Sequence, residues 1–222
     1  MIIAFSKDYL DVVLVPGGLL IIFVYHLILL HRYLNQPLTT VMGYENRDKK
    51  TWVDRAGDKT EVQSALTVIT SNITAATYLS TFSLTICSLI GTWIASSSAS
   101  RFVPNEIIYG NTKPTIISIK FICLITSFLL AFSFFVQAAR HFVHANYLIS
   151  TPGPVAHLRN KVEAAVTRGG EFWSIGLRAL YMALSLLLWF FGPIPMIVSS
   201  VFMVIILYYH DFKKLDDDQK DW

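Results

Sequence analysis

Four long stretches of the chain contain no Asp, Glu, Lys or Arg, and polar segments separate them. They cover residues 12–31, 62–100, 121–139 and 179–210, which are 20, 39, 19 and 32 residues long. A helix of about 20 apolar residues crosses the roughly 30 Å hydrocarbon layer of a bilayer. In lipid, a helix satisfies its backbone hydrogen bonds within one segment, so each stretch predicts at least one transmembrane helix. The first is too long for a signal peptide, so we expect a permanent anchor.

The last stretch leaves two interpretations open. Its centre carries Gly192-Pro193-Ile194-Pro195, and each proline removes a backbone donor and disfavours helix at the residue before it. One interpretation is a hairpin of two short spans, 172–191 and 194–210, with a turn at Gly192, Pro193 and Pro195. The other is one long helix that is kinked at the prolines and projects into the cytosol.

The placement of basic residues favours the hairpin, because cytoplasmic loops near span ends carry an excess of Lys and Arg. With five spans and the amino terminus outside, 14 basic residues lie inside and four outside, whereas four spans give 11 and seven. We predict an all-α integral membrane bundle of four to five transmembrane helices, forming one domain over residues 1–222. Its spans lie near residues 10–31, 65–95, 115–139, 172–191 and 194–210, and segments 32–64 and 140–171 are cytoplasmic loops.

Composition also indicates a membrane protein. Hydrophobic residues make up 54% of the chain and charged residues 15%, whereas about 25% charged residues is typical of soluble domains. This argues against a soluble enzyme, a disordered chain and a disulfide-rich secreted module. The net charge of +3 gives no reason to expect nucleic-acid binding, and Cys87 and Cys123 are predicted to be free thiols. We expect a multi-pass protein of the plasma membrane or an endomembrane.

The third loop predicts a separate surface helix. Thr151-Pro152-Gly153-Pro154 stops the preceding helix, after which Val155, Leu158, Val162 and Val166 repeat on one helical face. We expect this helix to end at Gly169-Gly170 and to pack against the first loop. The alternative is that it lies on the membrane surface.

The second span carries a hydroxyl stripe: Thr67, Thr70, Thr74, Thr77, Thr81, Thr85, Ser88 and Thr92. Gaps of three and four residues place these side chains on one helical face, and Asn72 widens it. Since a hydroxyl or amide gains nothing by facing hydrocarbon, we expect the stripe to turn away from lipid. Two interpretations remain: close helix packing with hydroxyls bonded back to their own helix, or a water-lined path for an ion or polar solute.

A predicted interfacial polar cluster lies at the cytoplasmic ends of the spans and contains His26, His31, Arg140, His141, His144 and Arg178. We interpret its histidines as groups that bond the backbone or lipid headgroups. The alternative is a metal or haem site at His141 and His144, although such sites usually need more ligands. Arg178 is expected to snorkel or to pair with Glu171 or a first-loop acid, and Lys120 is expected to snorkel.

Motifs for catalysis are absent from the sequence. It contains no G-x-S-x-G, no P-loop and no dinucleotide-binding glycine pattern. The four uncharged stretches contain no carboxylate, which argues against a proton-relay pump. We therefore predict no catalytic residues, no bound metal and no cofactor.

Three segments together resemble a plant family of small multi-span membrane proteins known as domain-of-unknown-function family 599. They are PLTTVMGYENRDKKTWV (37–53), IKFICLITSFLLAFSFFVQAARHFVHANYLISTP (119–152) and RGGEFWSIGLRALYMALSLLLWFFGPIPM (168–196). FGPIPM and the R-x-x-x-H pairing of Arg140 with His144 are the most specific parts. The resemblance implies a membrane location and a plant source, and it brings no reaction, ligand or partner.

Three functional hypotheses follow from these patterns. The first is an interaction or scaffold protein that binds a cytoplasmic partner through the first loop and the 155–166 helix, or forms a homo-oligomer. The second is a channel or transporter lined by the hydroxyl stripe. The third is a membrane enzyme or metal protein that uses His141 and His144.

Overall fold

The computed structural model describes residues 7–56, 61–96, 113–151 and 155–212. These residues form six α-helices: α1 Lys7–Asn35, α2 Val41–Ala56, α3 Val62–Ala95, α4 Pro114–Ser150, α5 Val155–Leu188 and α6 Pro193–Asp211. A short 3-10 helix, Pro37–Thr39, links α1 to α2. Every α-helix except α2 is long and apolar enough to cross a membrane, so the predicted all-α bundle is confirmed with five spans.

The last uncharged stretch is a hairpin. Helix α5 ends at Leu188, the chain turns, and α6 begins at Pro193. Gly192 has a φ of 139°, a conformation that favours glycine because it has no β-carbon. Pro193 lies in the first turn of α6, where a missing backbone donor has no cost. The predicted turn is therefore confirmed, and the alternative of one long kinked helix is wrong.

The five long helices run alternately up and down. Asp11, near the start of α1, bonds Trp189, which follows α5, whereas Thr40 after α1 pairs with Phe212 after α6. We call the side of the bundle that carries the α5–α6 turn the hairpin end. The opposite side, which carries α2, is the α2 end.

Helices α3, α4 and α5 form a closely packed core triplet, with α4 between the other two. Phe142 and Phe135 of α4 lie over Gly169 and Gly176 of α5, where an added β-carbon would be 2.7–2.8 Å from the ring. In lipid, the hydrophobic effect does not drive helices together, and small residues that allow close approach take on that role. Fitting of aromatic rings onto glycines therefore stabilises the triplet.

The predicted surface helix is the first part of α5. This helix continues through Gly169 and Gly170, so the prediction that it ends there is wrong. Both glycines are buried, because Phe142 and the Lys49 side chain fill the space beside them. The predicted packing against the first loop is confirmed, since Val162 and other apolar residues of α5 join a buried cluster with α2. The side chain of Val155 lies outside the described residues.

Helices α1 and α6 form a second unit, the α1–α6 pair. Gly18 lies against Ser200, whose Oγ would be 3.2 Å from a β-carbon at that glycine. At the hairpin end the pair closes onto the core triplet, because Val15 and Met196 join a buried cluster with residues of α3, α4 and α5. Toward the α2 end, the described part of α1 does not pack along α4 or α5. The two units therefore diverge there and leave grooves between them.

Candidate functional site

A charged cluster joins the two units near the α2 end. Arg178 of α5 donates two hydrogen bonds to the carboxylate of Asp211 at the end of α6, both 2.8 Å long. The Tyr25 hydroxyl of α1 donates to the same carboxylate. The side chains of Arg178 and Asp211 are 16% and 14% exposed. Arg178 therefore has a partner that the sequence did not predict, and the expectations that it snorkels or pairs with Glu171 or a first-loop acid are wrong.

A second polar contact lies about two helical turns nearer the α2 end. The Tyr33 hydroxyl of α1 donates a 2.7 Å hydrogen bond to Oε1 of Glu171 on α5. Asn46 of α2 donates to the same hydroxyl at 3.1 Å. This contact links α1, α2 and α5, so toward the α2 end the α1–α6 pair meets the rest of the chain through two polar contacts.

One cavity, the α1 groove, lies between α1 on one side and α4 and α5 on the other. Its volume is about 810 Å³. Most of its lining is apolar, and four polar side chains lie toward the α2 end: His26, Tyr33, Glu171 and Arg178. The apolar lining includes Leu19, Leu20, Phe23, Leu30, Leu130, Phe134, Ile175 and Met182. The groove is therefore apolar along most of its length and polar toward the α2 end, where the four polar side chains form what we call its mouth.

A smaller groove of about 470 Å³ lies between α5 and α6. Arg178 lines both grooves, and its partner Asp211 lines the smaller one, so this ion pair lies between the two grooves.

A buried cation occupies the hairpin end. Lys120 of α4 is 2% exposed and donates a 3.1 Å hydrogen bond to the carbonyl of Trp189. The Trp189 indole in turn donates to Oδ1 of Asp11 at 2.8 Å, and Asp11 is 6% exposed. The ammonium lies 5.3 Å from the centre of the Trp189 ring, within range of a cation–π interaction. The prediction that Lys120 snorkels is wrong, because its charge is satisfied inside the bundle.

The hydroxyl stripe faces outward, contrary to expectation. All its residues are exposed on α3, while Ile69, Ala76 and Ser83 on the opposite face are buried. Six of the hydroxyls donate to their own helix, to the carbonyl four residues earlier, at 2.8–3.1 Å. The described chain therefore does not enclose the stripe as an internal path.

Asn72 lies apart from the stripe. It lines a cavity of about 370 Å³ between α2 and the core triplet, together with Glu45, Asp48 and two tryptophans. Its amide is thus near polar groups of α2.

The family relationship agrees with the sequence resemblance. The model of a family described as "Protein of unknown function, DUF599" matches residues 13–215. The chain belongs to this family. Nothing matches this DUF599 protein among the curated proteins or among the solved structures.

The predicted interfacial polar cluster of the DUF599 chain is divided into separate groups. His26 lines the α1 groove with Arg178, whereas His31 is exposed and contacts Asn35. His141 stacks on Phe172 of α5, with ring centroids 5.3 Å apart. Arg140 and His144 are exposed on α4. Over the described ranges, no group of three or more His, Cys, Asp or Glu side chains is placed to hold a metal ion.

Sequence reasoning missed Asp11, Asp211 and Tyr25. A signal for the two acids is present in the sequence, because each lies one residue outside an uncharged stretch. Both lie within helices, since α1 begins before Asp11 and α6 ends at Asp211. An acid at such a boundary therefore indicates a partner inside the bundle.

Proposed function

We propose that this DUF599 chain is a membrane interaction protein whose copies associate through the hydroxyl stripe of α3. The observation that carries the proposal is the outward orientation of the stripe. Helix α3 packs against α4 and makes few contacts with α2, so its opposite face is open to another molecule.

The chemistry of the stripe suits contact between helices in lipid. Thr and Ser are small enough to let two backbones approach closely, and transmembrane helix contacts are enriched in them. Most of the hydroxyls already donate to their own helix, so their polarity adds little cost on burial against a second helix. A second α3 is a suitable partner, because it offers the same small side chains.

A cytoplasmic partner is the second part of the proposal. We assign the α2 end to the cytosol because the basic residues concentrate there. Ion pairs join α2 to α5 there: Lys50–Glu163 at 3.7 Å and Asp54–Arg159 at 3.4 Å. A cytoplasmic partner would thus meet the first loop and the beginning of α5 as one surface.

Conduction remains the alternative function, and the outward stripe restricts it to an assembly of several copies. A pore between chains would need stripes from several α3 helices to face a common centre. In that case the triple variant Thr74→Val, Thr77→Val and Thr81→Val loses ion or solute flux into liposomes, while its copies remain associated. An interaction role predicts that no flux is present before the substitution.

Cysteine cross-linking in native membranes tests association through the stripe. In a background of Cys87→Ala and Cys123→Ala, we introduce Thr74→Cys, Thr77→Cys or Thr81→Cys and oxidise with copper phenanthroline. We expect a disulfide-linked dimer on a non-reducing gel for the stripe positions. The matched controls are Phe82→Cys and Leu89→Cys, which lie on a neighbouring exposed part of α3 and are 50% and 60% exposed.

Two results would contradict the proposal. One is a monomer at every stripe position under conditions that cross-link a known dimer in the same membrane. The other is equal cross-linking at Phe82→Cys and Leu89→Cys, which indicates random collision.

A further inference from the structure

The α1 groove has the length of one leaflet. Its lining on α1 extends from Leu19 to Tyr33, which is about 21 Å at the rise of an α-helix. Half of the hydrocarbon layer is about 15 Å thick. The groove thus reaches from the middle of the bilayer to the polar interface at the α2 end.

The polar mouth of the groove offers hydrogen-bond acceptors. Nδ1 of His26 lies 2.7 Å from the carbonyl oxygen of Ile22 and donates to it, because a carbonyl only accepts. In the neutral ring this leaves Nε2 as an acceptor. Oε1 of Glu171 accepts the hydrogen bond from Tyr33, and the second carboxylate oxygen remains available as an acceptor. A ligand that donates a hydrogen bond is therefore complementary to the mouth.

The charges of the mouth disfavour an anionic headgroup. Arg178 forms a bidentate ion pair with Asp211, so its positive charge is already neutralised within the chain. The other ionised side chain that lines the groove is the carboxylate of Glu171. A fatty acid or anionic phospholipid would bring a second negative charge close to this carboxylate.

We propose that the α1 groove binds one neutral lipid that carries a hydroxyl group, with a sterol as the representative ligand. The hydroxyl donates to Nε2 of His26, and the apolar body lies along Phe23, Leu20 and Met182 toward the bilayer centre. The volume of about 810 Å³ lies within the range of small-molecule sites. The site is independent of the hydroxyl stripe, which lies on α3.

Photolabelling of the full-length protein tests this site. We reconstitute the wild-type chain in phosphatidylcholine liposomes with a sterol that carries a diazirine and an alkyne, irradiate, and map the label by mass spectrometry. The label is expected on α1, α4 and α5 residues that line the groove, and excess unlabelled sterol should remove it. A diazirine fatty acid at the same concentration should label these peptides more weakly.

Variants separate specific binding from contact with bulk lipid. Leu130→Trp fills the groove from α4, where this leucine is 42% exposed. It should abolish sterol labelling of the groove. Ile122→Trp is the matched control, because Ile122 is 64% exposed on the same helix and does not line the groove. Labelling of His26→Phe should fall about 2- to 10-fold, as expected for loss of one hydrogen bond.

Three results would overturn the proposal. Sterol label spread evenly over the exposed faces of the helices, or not removed by competition, shows that the groove is not a site. Fatty acid labelling as strong as sterol labelling shows that the headgroup assignment is wrong. If Leu130→Trp does not assemble, the mapped position of the label in the wild-type chain still decides between these outcomes.

Discussion

The core triplet and the α1–α6 pair are both helical units in the same chain, but different interactions hold them. In the triplet, aromatic rings lie on glycines, and the buried positions are apolar or small except for Lys120 at the hairpin end. At the hairpin end, apolar packing and the Asp11–Trp189 hydrogen bond connect the pair to the triplet. Toward the α2 end, the connection consists of polar contacts: Tyr25–Asp211–Arg178 and Tyr33–Glu171. Packing produces a closed unit, whereas a few polar contacts join two units and leave grooves between them.

Among the substitutions that test this comparison, breaking the Arg178–Asp211 pair is expected to lower the free energy of unfolding most. Arg178→Ala leaves a carboxylate in the bundle without its bidentate partner, which typically costs about 3–5 kcal/mol of unfolding free energy. The double variant Arg178→Met/Asp211→Leu should recover most of this loss, because apolar side chains replace both charges. Unfolding in mixed detergent micelles measures both values. A double variant as unstable as Arg178→Ala would show that the contact is more than an ion pair.

An intermediate loss of unfolding free energy is expected when a methyl group is added to a glycine that lies against an aromatic ring of the triplet. Gly176→Ala places a methyl group about 2.8 Å from the Phe135 ring and should lower the unfolding free energy by about 1–3 kcal/mol. Gly91→Ala on α3 is the control, since nothing lies within 4 Å of its added β-carbon. That variant should be as stable as the wild type or more stable. Equal losses in both variants would show that close helix approach is not what stabilises the triplet.

The Tyr33–Glu171 contact should contribute least to the free energy of unfolding. Tyr33→Phe removes the hydroxyl that donates to Glu171 and accepts from Asn46, at a cost of about 0.5–1.5 kcal/mol. The same variant should increase the accessibility of groove cysteines, such as Leu30→Cys, to a maleimide reagent. If neither stability nor accessibility changes, only the Arg178–Asp211 pair and the contacts at the hairpin end hold α1 against the triplet.

Hydropathy was sufficient to predict an all-α bundle of four to five long apolar helices, because length and lipid compatibility are properties of each segment. Charge placement favoured the hairpin, but one long kinked helix remained open until the turn at Gly192 was seen. The long-range partners were not predictable in the same way. Asp211 meets Arg178 only because the turn at Gly192 returns α6 along α5. Similarly, the helix passes through Gly169 and Gly170 because their neighbours pack tightly, whereas sequence rules interpret a glycine pair as a helix end.

The stripe illustrates a different limit of prediction. Its periodicity correctly places the hydroxyls on one face, but the period does not say whether that face points inward. In water, polar faces point outward, and in lipid they were expected to point inward. Back-bonding to the helix weakens that preference in α3, because six of the eight hydroxyls already donate to their own helix.

The central claim is that α5 and α6 are two separate spans, which brings Asp211 back to the end of the bundle that carries Arg178. The most direct test labels single cysteines with a membrane-impermeant maleimide in sealed vesicles, in the background of Cys87→Ala and Cys123→Ala. Tyr209→Cys should react from the same side as Arg55→Cys of α2, and Phe191→Cys from the opposite side, together with Thr115→Cys. Reaction of Tyr209→Cys from the side of Thr115→Cys would contradict the hairpin and the ion pair that depends on it.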